Sequence, residues 1–208
     1  QIVDKNSDDR SIYNGFEASF SGRLPAGASL FGGWTLQRNI SVFCSSDDNP
    51  NGPSVTDLFL GDGVANGGRF CDQRNFDVPF THEFKLAGNY PLPLGFDFGA
   101  ILQSYAGRER VITWTPAANL FPGGRTNSES LILTEPGALY YPRYNQLDLN
   151  VKKTFRFGRK TFTGQIDYFN ALNGNAIFAQ NNAIGGSLGQ VTAILQGRMM
   201  RLGVQMKF

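Results

Sequence analysis

The feature that most restricts this chain is an alternation of apolar and polar residues with period two, because successive side chains of a β-strand point to opposite faces of a sheet. It is clearest over residues 146–157. Leu147, Leu149, Val151, Phe155 and Phe157 take one face, and Gln146, Asp148, Asn150, Lys152, Thr154 and Arg156 take the other, with Lys153 the single break. Six further segments read the same way. Residues 12–24 set Ile12, Phe16, Ala18, Phe20 and Leu24 against Glu17, Ser19, Ser21 and Arg23. Residues 28–37 set Ala28, Leu30, Trp34 and Leu36 against Ser29, Thr35 and Gln37, with Phe31 interrupting the polar side. Residues 80–90 set Phe80, Phe84, Leu86 and Tyr90 against Thr81, Glu83, Lys85 and Asn89, and residues 96–105 set Phe96, Phe98, Ala100 and Leu102 against Asp97, Gly99 and Gln103. Residues 161–168 and 198–208 complete the set. The predicted fold is all-β, an antiparallel meander of about seven or eight strands.

An amphipathic strand alone does not separate a membrane barrel from a soluble sandwich, since each has two unlike faces. The connections point further. Short linkers (Pro25-Ala26-Gly27, Pro91 to Gly95, Gly158 to Lys160) alternate with long ones (38–79, about 106–145, about 170–197). Short turns at one rim and long loops at the other describe an outer-membrane barrel, with its periplasmic turns and extracellular loops. Aromatics near the strand ends, among them Phe20, Phe80, Tyr90, Phe96, Phe157 and Tyr168, suit interfacial girdles.

Composition agrees and removes other classes. Charged residues make up 17% of the 208, below the roughly 25% of soluble domains, while Gly (25) and Phe (18) are plentiful. A net charge of +2 provides no field to gather nucleic acid, so no nucleic-acid partner is expected. No apolar run approaches the roughly 18–20 residues of a transmembrane helix. The chain opens at Gln1 without a basic-then-apolar leader, which suggests that an earlier stretch of the protein precedes it.

The residues suggest no chemistry. The one histidine, His82, sits on an otherwise apolar strand face as a structural or rim residue, and no nucleophile elbow, phosphate loop or dinucleotide fingerprint is present, so the expectation is a non-enzyme without a cofactor. The run Ser45 to Gly52 gathers oxygen donors, and Asp47, Asp48 and Asn49 form a weak Ca²⁺ candidate, although a solvated turn is the simpler account. Cys44 and Cys71 fall in one polar stretch, where an exported protein would pair them as a disulfide.

The last eight residues, Arg201-Leu202-Gly203-Val204-Gln205-Met206-Lys207-Phe208, resemble the C-terminal signal that the barrel assembly machinery reads in outer-membrane proteins, with Arg201, Gly203, Met206 and Phe208 at its marked positions. Met200, Leu202, Val204, Met206 and Phe208 would form one lipid-facing row on an edge strand able to add to another sheet. The stretch Tyr144-Asn145-Gln146-Leu147-Asp148-Leu149-Asn150, then Lys153-Thr154-Phe155, Asp167-Tyr168-Phe169-Asn170-Ala171-Leu172-Asn173 and Gln196-Gly197-Arg198, is similar to the end of a TonB-dependent receptor barrel of the Oar-like group, over about residues 11–208.

That resemblance implies a 22-stranded barrel with an N-terminal plug and TonB box, importing a solute with the proton-motive force. Neither plug nor box is visible, and about seven strands cannot close a bacterial barrel, whose strands are even in number. Residues 1–208 are therefore expected to be the C-terminal part of a larger barrel in a bacterial outer membrane. Its implied partners are membrane lipid, the barrel assembly machinery, the TonB system through the missing N-terminal part, and the rest of the barrel or other copies of itself. Loop residues Phe43, Phe59, Phe70, Trp114 and Tyr140 are candidate solute contacts. Two other readings remain open: an exported structural β-protein that self-assembles through open strand edges into an oligomer or fibre, and a soluble adhesive β-sandwich.

Overall fold

A computed structural model of the chain describes residues 10–42, 70, 72–117, 119 and 130–208. Strands β1 (Arg10–Arg23), β2 (Ser29–Val42), β3 (Thr81–Leu92) and β4 (Phe96–Tyr105) form two hairpins. The short β5 (Thr113–Trp114) and β6 (Leu131–Ile132) pair within the next loop, followed by the hairpin of β7 (Tyr144–Phe157) and β8 (Lys160–Phe169). β9 (Ile177–Gln180) and β10 (Val191–Ile194) pair within the last loop before β11 (Met199–Lys207). Seven of these strands make one antiparallel sheet in the order β1-β2-β3-β4-β7-β8-β11. All seven predicted strands are present and in meander order. β2 runs to Val42 rather than residue 37, and β7 begins at Tyr144 rather than residue 146.

Among the described residues the sheet is open: β1 and β11 are its edges, each with one long-strand neighbour, and the seven strands do not close into a barrel. Among the described residues no helix is long and apolar enough to cross a membrane, which is silent on crossing by strands.

Register carries the alternation across the whole sheet. One line of directly paired residues runs Gly22, Leu30, Gly88, Ala100, Leu149, Tyr168, Met200, one from each long strand and all on the apolar side. The neighbouring line runs Arg23, Ser29, Asn89, Gly99, Asn150, Asp167, Arg201 on the other side. A slip of one residue between any two strands would have mixed the two faces; none occurs.

The same line measures strand tilt. Gly22 lies one residue from the end of β1, Gly88 four from the end of β3 and Leu149 eight from the end of β7. The turns thus step past the line by between one and two residues per strand. With a rise of about 3.3 Å per residue and about 4.8 Å between strands, the strands incline by roughly 45° to the rim.

Two of the three short turns repeat one solution. Leu24-Pro25-Ala26-Gly27 and Leu92-Pro93-Leu94-Gly95 both place a non-glycine residue in the left-handed region, Ala26 at φ 64° and Leu94 at φ 63°, followed by glycine at φ 80° and 76°. Proline presets the first position, and the following L-residue carries a steric penalty. Ala26→Gly is therefore expected to raise stability by about 1 kcal/mol; a thermal or denaturant midpoint that falls on this substitution would contradict it. The third turn, Gly158-Arg159, is a two-residue hairpin loop with Gly158 at φ 62°.

Lys153, the break in the alternation, is accounted for by its position. It sits on the apolar face close to the short-turn rim, and its ammonium reaches the carbonyl oxygen of Leu94 in the neighbouring turn while lying 4.1 Å from the Phe96 ring centre. Its stem covers apolar surface and its charge leaves it.

Candidate functional site

The two faces of the sheet differ in exposure. Asp167 is 5% exposed, whereas Ile166, its neighbour on the opposite face, is 47% exposed. Phe16, Phe20, Trp34, Tyr90, Phe96, Phe98, Phe155, Met200, Leu202, Val204 and Met206 are all exposed on the apolar side. The exposure of these side chains shows that no second layer of described residues covers them.

The polar face holds ordered side-chain networks. Asp167 accepts hydrogen bonds from Arg201 Nε at 2.8 Å, from Gln165 Nε2 at 2.8 Å and from the Asn150 amide, and Arg201 lies 5.3 Å from the Phe169 ring centre. Asp148 accepts from Gln146 Nε2 at 2.7 Å and from the backbone N–H of Asn170 at 2.8 Å. The Ser29 hydroxyl donates to Asn89, whose amide donates to Asp97 at 3.3 Å. Charge is compensated laterally along the polar face of the sheet. Toward the long-loop rim Tyr105 and Tyr144 stack with centroids 5.4 Å apart, Phe178 meets Tyr144 edge-on at 5.5 Å, and the Tyr144 hydroxyl donates to Gln103 Oε1 at 2.7 Å.

The loops at that rim are built and tied together. Thr113 N–H donates to Asn182 O at 3.0 Å, Ile184 N–H donates to Thr113 O at 2.7 Å, and the Tyr141 hydroxyl accepts from Asn182 Nδ2 at 3.0 Å and Gln180 N at 3.2 Å. The last loop is anchored by Asn170, which is 2% exposed and left-handed at φ 48°. Its Nδ2 donates to Gly174 O at 2.9 Å and Gln196 O at 2.8 Å, and its Oδ1 accepts from Gly174 N at 2.9 Å. Asn173 Oδ1 accepts from Arg198 N at 3.3 Å. The run Asp167 to Asn173 thus works as the seam between β8, its loop and β11.

Asp72 lies in the first long loop and caps the turn Gln73–Asn75, accepting from Arg74 N at 3.0 Å and Arg74 Nε at 2.8 Å. The hydrogen bond from the Arg74 guanidinium, opposed by desolvation and aided by the backbone bond and the cation's charge, lowers the Asp72 carboxyl to about 2. Because this lies below the unfolded value of about 3.9, the contact is intact above that value and is lost as the pH falls from about 4 toward 2. An NMR titration of the Asp72 carboxyl should find its midpoint near 2; an ordinary carboxylate midpoint would mean the cap does not form. Tyr140, bridged to Glu109 in the second loop, has its hydroxyl pKa raised by burial and then by the Glu109 charge.

The candidate contact residues are dispersed. Phe43 and Phe59 lie outside the described residues, as do Cys44 and Cys71 of the expected disulfide and Asp47, Asp48 and Asn49 of the Ca²⁺ candidate. Phe70 is 8% exposed and packs edge-on against Phe76 at 5.4 Å. Trp114 is partly exposed on β5, in the same connection as Tyr140. His82 is at the rim of the apolar face, its ring stacked at 6.2 Å on Trp34. Among the described residues no three His, Cys, Asp or Glu side chains gather as metal ligands. Sequence reasoning did not single out the Tyr105–Tyr144–Phe178 cluster or the Tyr141 tie, because each joins residues far apart in the chain. Compared with models of known protein families and with curated proteins, the chain matches none.

Proposed function

We propose that this chain is part of the wall of a bacterial outer-membrane β-barrel of the TonB-dependent receptor kind, through which an unidentified solute is taken up. The observation that carries the reading is the uncovered apolar face, continuous in register across seven tilted strands, with buried, hydrogen-bonded charge on the reverse. In water such a face is a large exposed patch with no partner. In a bilayer it is solvated by lipid, and the polar face lines a lumen. The segregation of short turns and tied loops to opposite rims supports the same reading, as does the strand inclination of roughly 45°. The rim cluster of Tyr105, Tyr144 and Phe178, with amide groups beside it, belongs to the surface a solute would meet on entry.

The open edges of β1 and β11 favour one other reading, self-assembly of an exported β-protein through strand addition. Both edges require further strands, from the rest of one barrel or from other copies. The test is solubility and gel behaviour. A barrel wall extracts into detergent together with the strands that complete it and migrates differently before and after heating; a fibre sediments without detergent. A chain that stays monodisperse in buffer without detergent would sink both readings and return the soluble sandwich.

A further inference from the structure

Sorting the strand charges by face exposes an imbalance that alternation does not require. Every carboxylate of the seven long strands, Glu17, Glu83, Asp97, Asp148 and Asp167, lies on the polar face. Cations occupy both faces. The apolar side carries Arg10 and Arg38 toward the long-loop ends of β1 and β2, and Lys153 and Lys160 toward the short-turn rim. Arg143 and Arg198 join it from the ends of the long loops. Arg143 donates to Ser104 Oγ at 3.1 Å and to His82 O at 2.9 Å, and Arg198 donates to the Tyr168 hydroxyl at 3.2 Å. Ser104 and Tyr168 both belong to the apolar side.

These cations bracket a band. Arg143 and Lys153 are ten residues apart on one side of β7, about 33 Å along the strand, and at a tilt of roughly 45° they are separated by about 23 Å in height. That is close to the apolar belt of about 25 Å on membrane barrels. At the short-turn rim the Lys153 charge is already met by Leu94 O, and Lys160 lies 5.4 Å from the Phe208 ring. At the long-loop rim no carboxylate pairs with Arg38, Arg143 or Arg198 among the described residues: Arg38 lies 4.5 Å over the Phe80 ring, and the other two donate only to neutral oxygens.

We propose that the long-loop rim of the apolar face is a seat for phosphate-bearing anionic lipid headgroups, held by Arg38, Arg143 and Arg198. The inference rests on the membrane reading of that face. Guanidinium groups match phosphate oxygens in planar, paired hydrogen bonds, the strands place no carboxylate on this side, and the rim carboxylate bridged to Val42, Asp72, is already bonded to Arg74, which limits the repulsion such headgroups would meet.

The test compares flotation of the full chain with vesicles of neutral phosphatidylcholine and with vesicles carrying one part in five of phosphatidylglycerol. The chain should enter both and favour the anionic ones by at least tenfold, each interfacial cation contributing about fivefold before screening by salt. The triple variant Arg38→Gln, Arg143→Gln, Arg198→Gln should still float with both and lose the preference, whereas Lys85→Gln with Lys152→Gln on the polar face should keep it. Should the triple variant fail to enter neutral vesicles, the three single variants are read instead, each expected to lose two- to fivefold. Equal partition of the unaltered chain, or a preference abolished only by the polar-face variant, overturns the seat while leaving the membrane reading intact. Flotation with neither vesicle overturns the membrane reading itself.

Discussion

Ile166→Arg is expected to keep the chain out of bilayers, while Gln205→Arg on the opposite face enters normally. Ile166 pairs with Val151 and Leu202 on the apolar side, and it stands six residues from the short-turn end of β8, near the middle of the band between the two cation rims. In water a half-exposed strand position accepts arginine for roughly 0.5 kcal/mol or less. At the centre of a hydrocarbon layer the same change costs about 2–4 kcal/mol, or roughly thirtyfold to a thousandfold in the equilibrium between inserted and free protein. Gln205 faces the other way, opposite Thr163, where a charge meets water. Vesicle flotation of both variants at one protein concentration reads the difference, and identical behaviour would remove the basis for assigning a lipid face. Leu202→Arg, at a side chain 69% exposed, should repeat the Ile166 result.

Asn170→Ala should loosen the last loop and lower the stability of the whole wall by about 3–4 kcal/mol. Three side-chain hydrogen bonds vanish, leaving Gly174 N–H, Gly174 O and Gln196 O without those partners at a position almost closed to water. Each costs about 1 kcal/mol, and alanine in the left-handed region adds about another. Asn170→Gly separates the two contributions, since it removes the bonds and relieves the backbone. The temperature at which the folded gel band converts should fall by roughly 10 °C for alanine and by less for glycine. Proteolysis should begin between residues 171 and 198. A conversion temperature unchanged by alanine would mean that the loop is held from elsewhere.

The strands were legible because period-two alternation is local: each residue declares its side through its own polarity, and glycine or proline marks the ends. All seven long strands could be placed from that signal, with errors confined to their ends. β2 runs past residue 37 because its polar side continues through Asn39 and Ser41. The interruptions were legible as exceptions but not as solutions. Lys153 is explained only by the Leu94 carbonyl, 59 positions away in sequence, and Phe31 on the polar side only by the buried Ala87 beside it, 4% exposed.

Sequence alone determined the two-sidedness of each strand and the division into brief turns and long connections, since both follow from residue type and spacing along one segment. Tertiary structure decided that the seven sides coincide in one face, that the sheet stays open at β1 and β11, and that loops 106–143 and 170–198 are tied through Thr113 and Tyr141. It also decided that Asn170 closes the final loop. These depend on register and on pairings between residues dozens of positions apart, where the free energy belongs to the contact and not to either residue by itself.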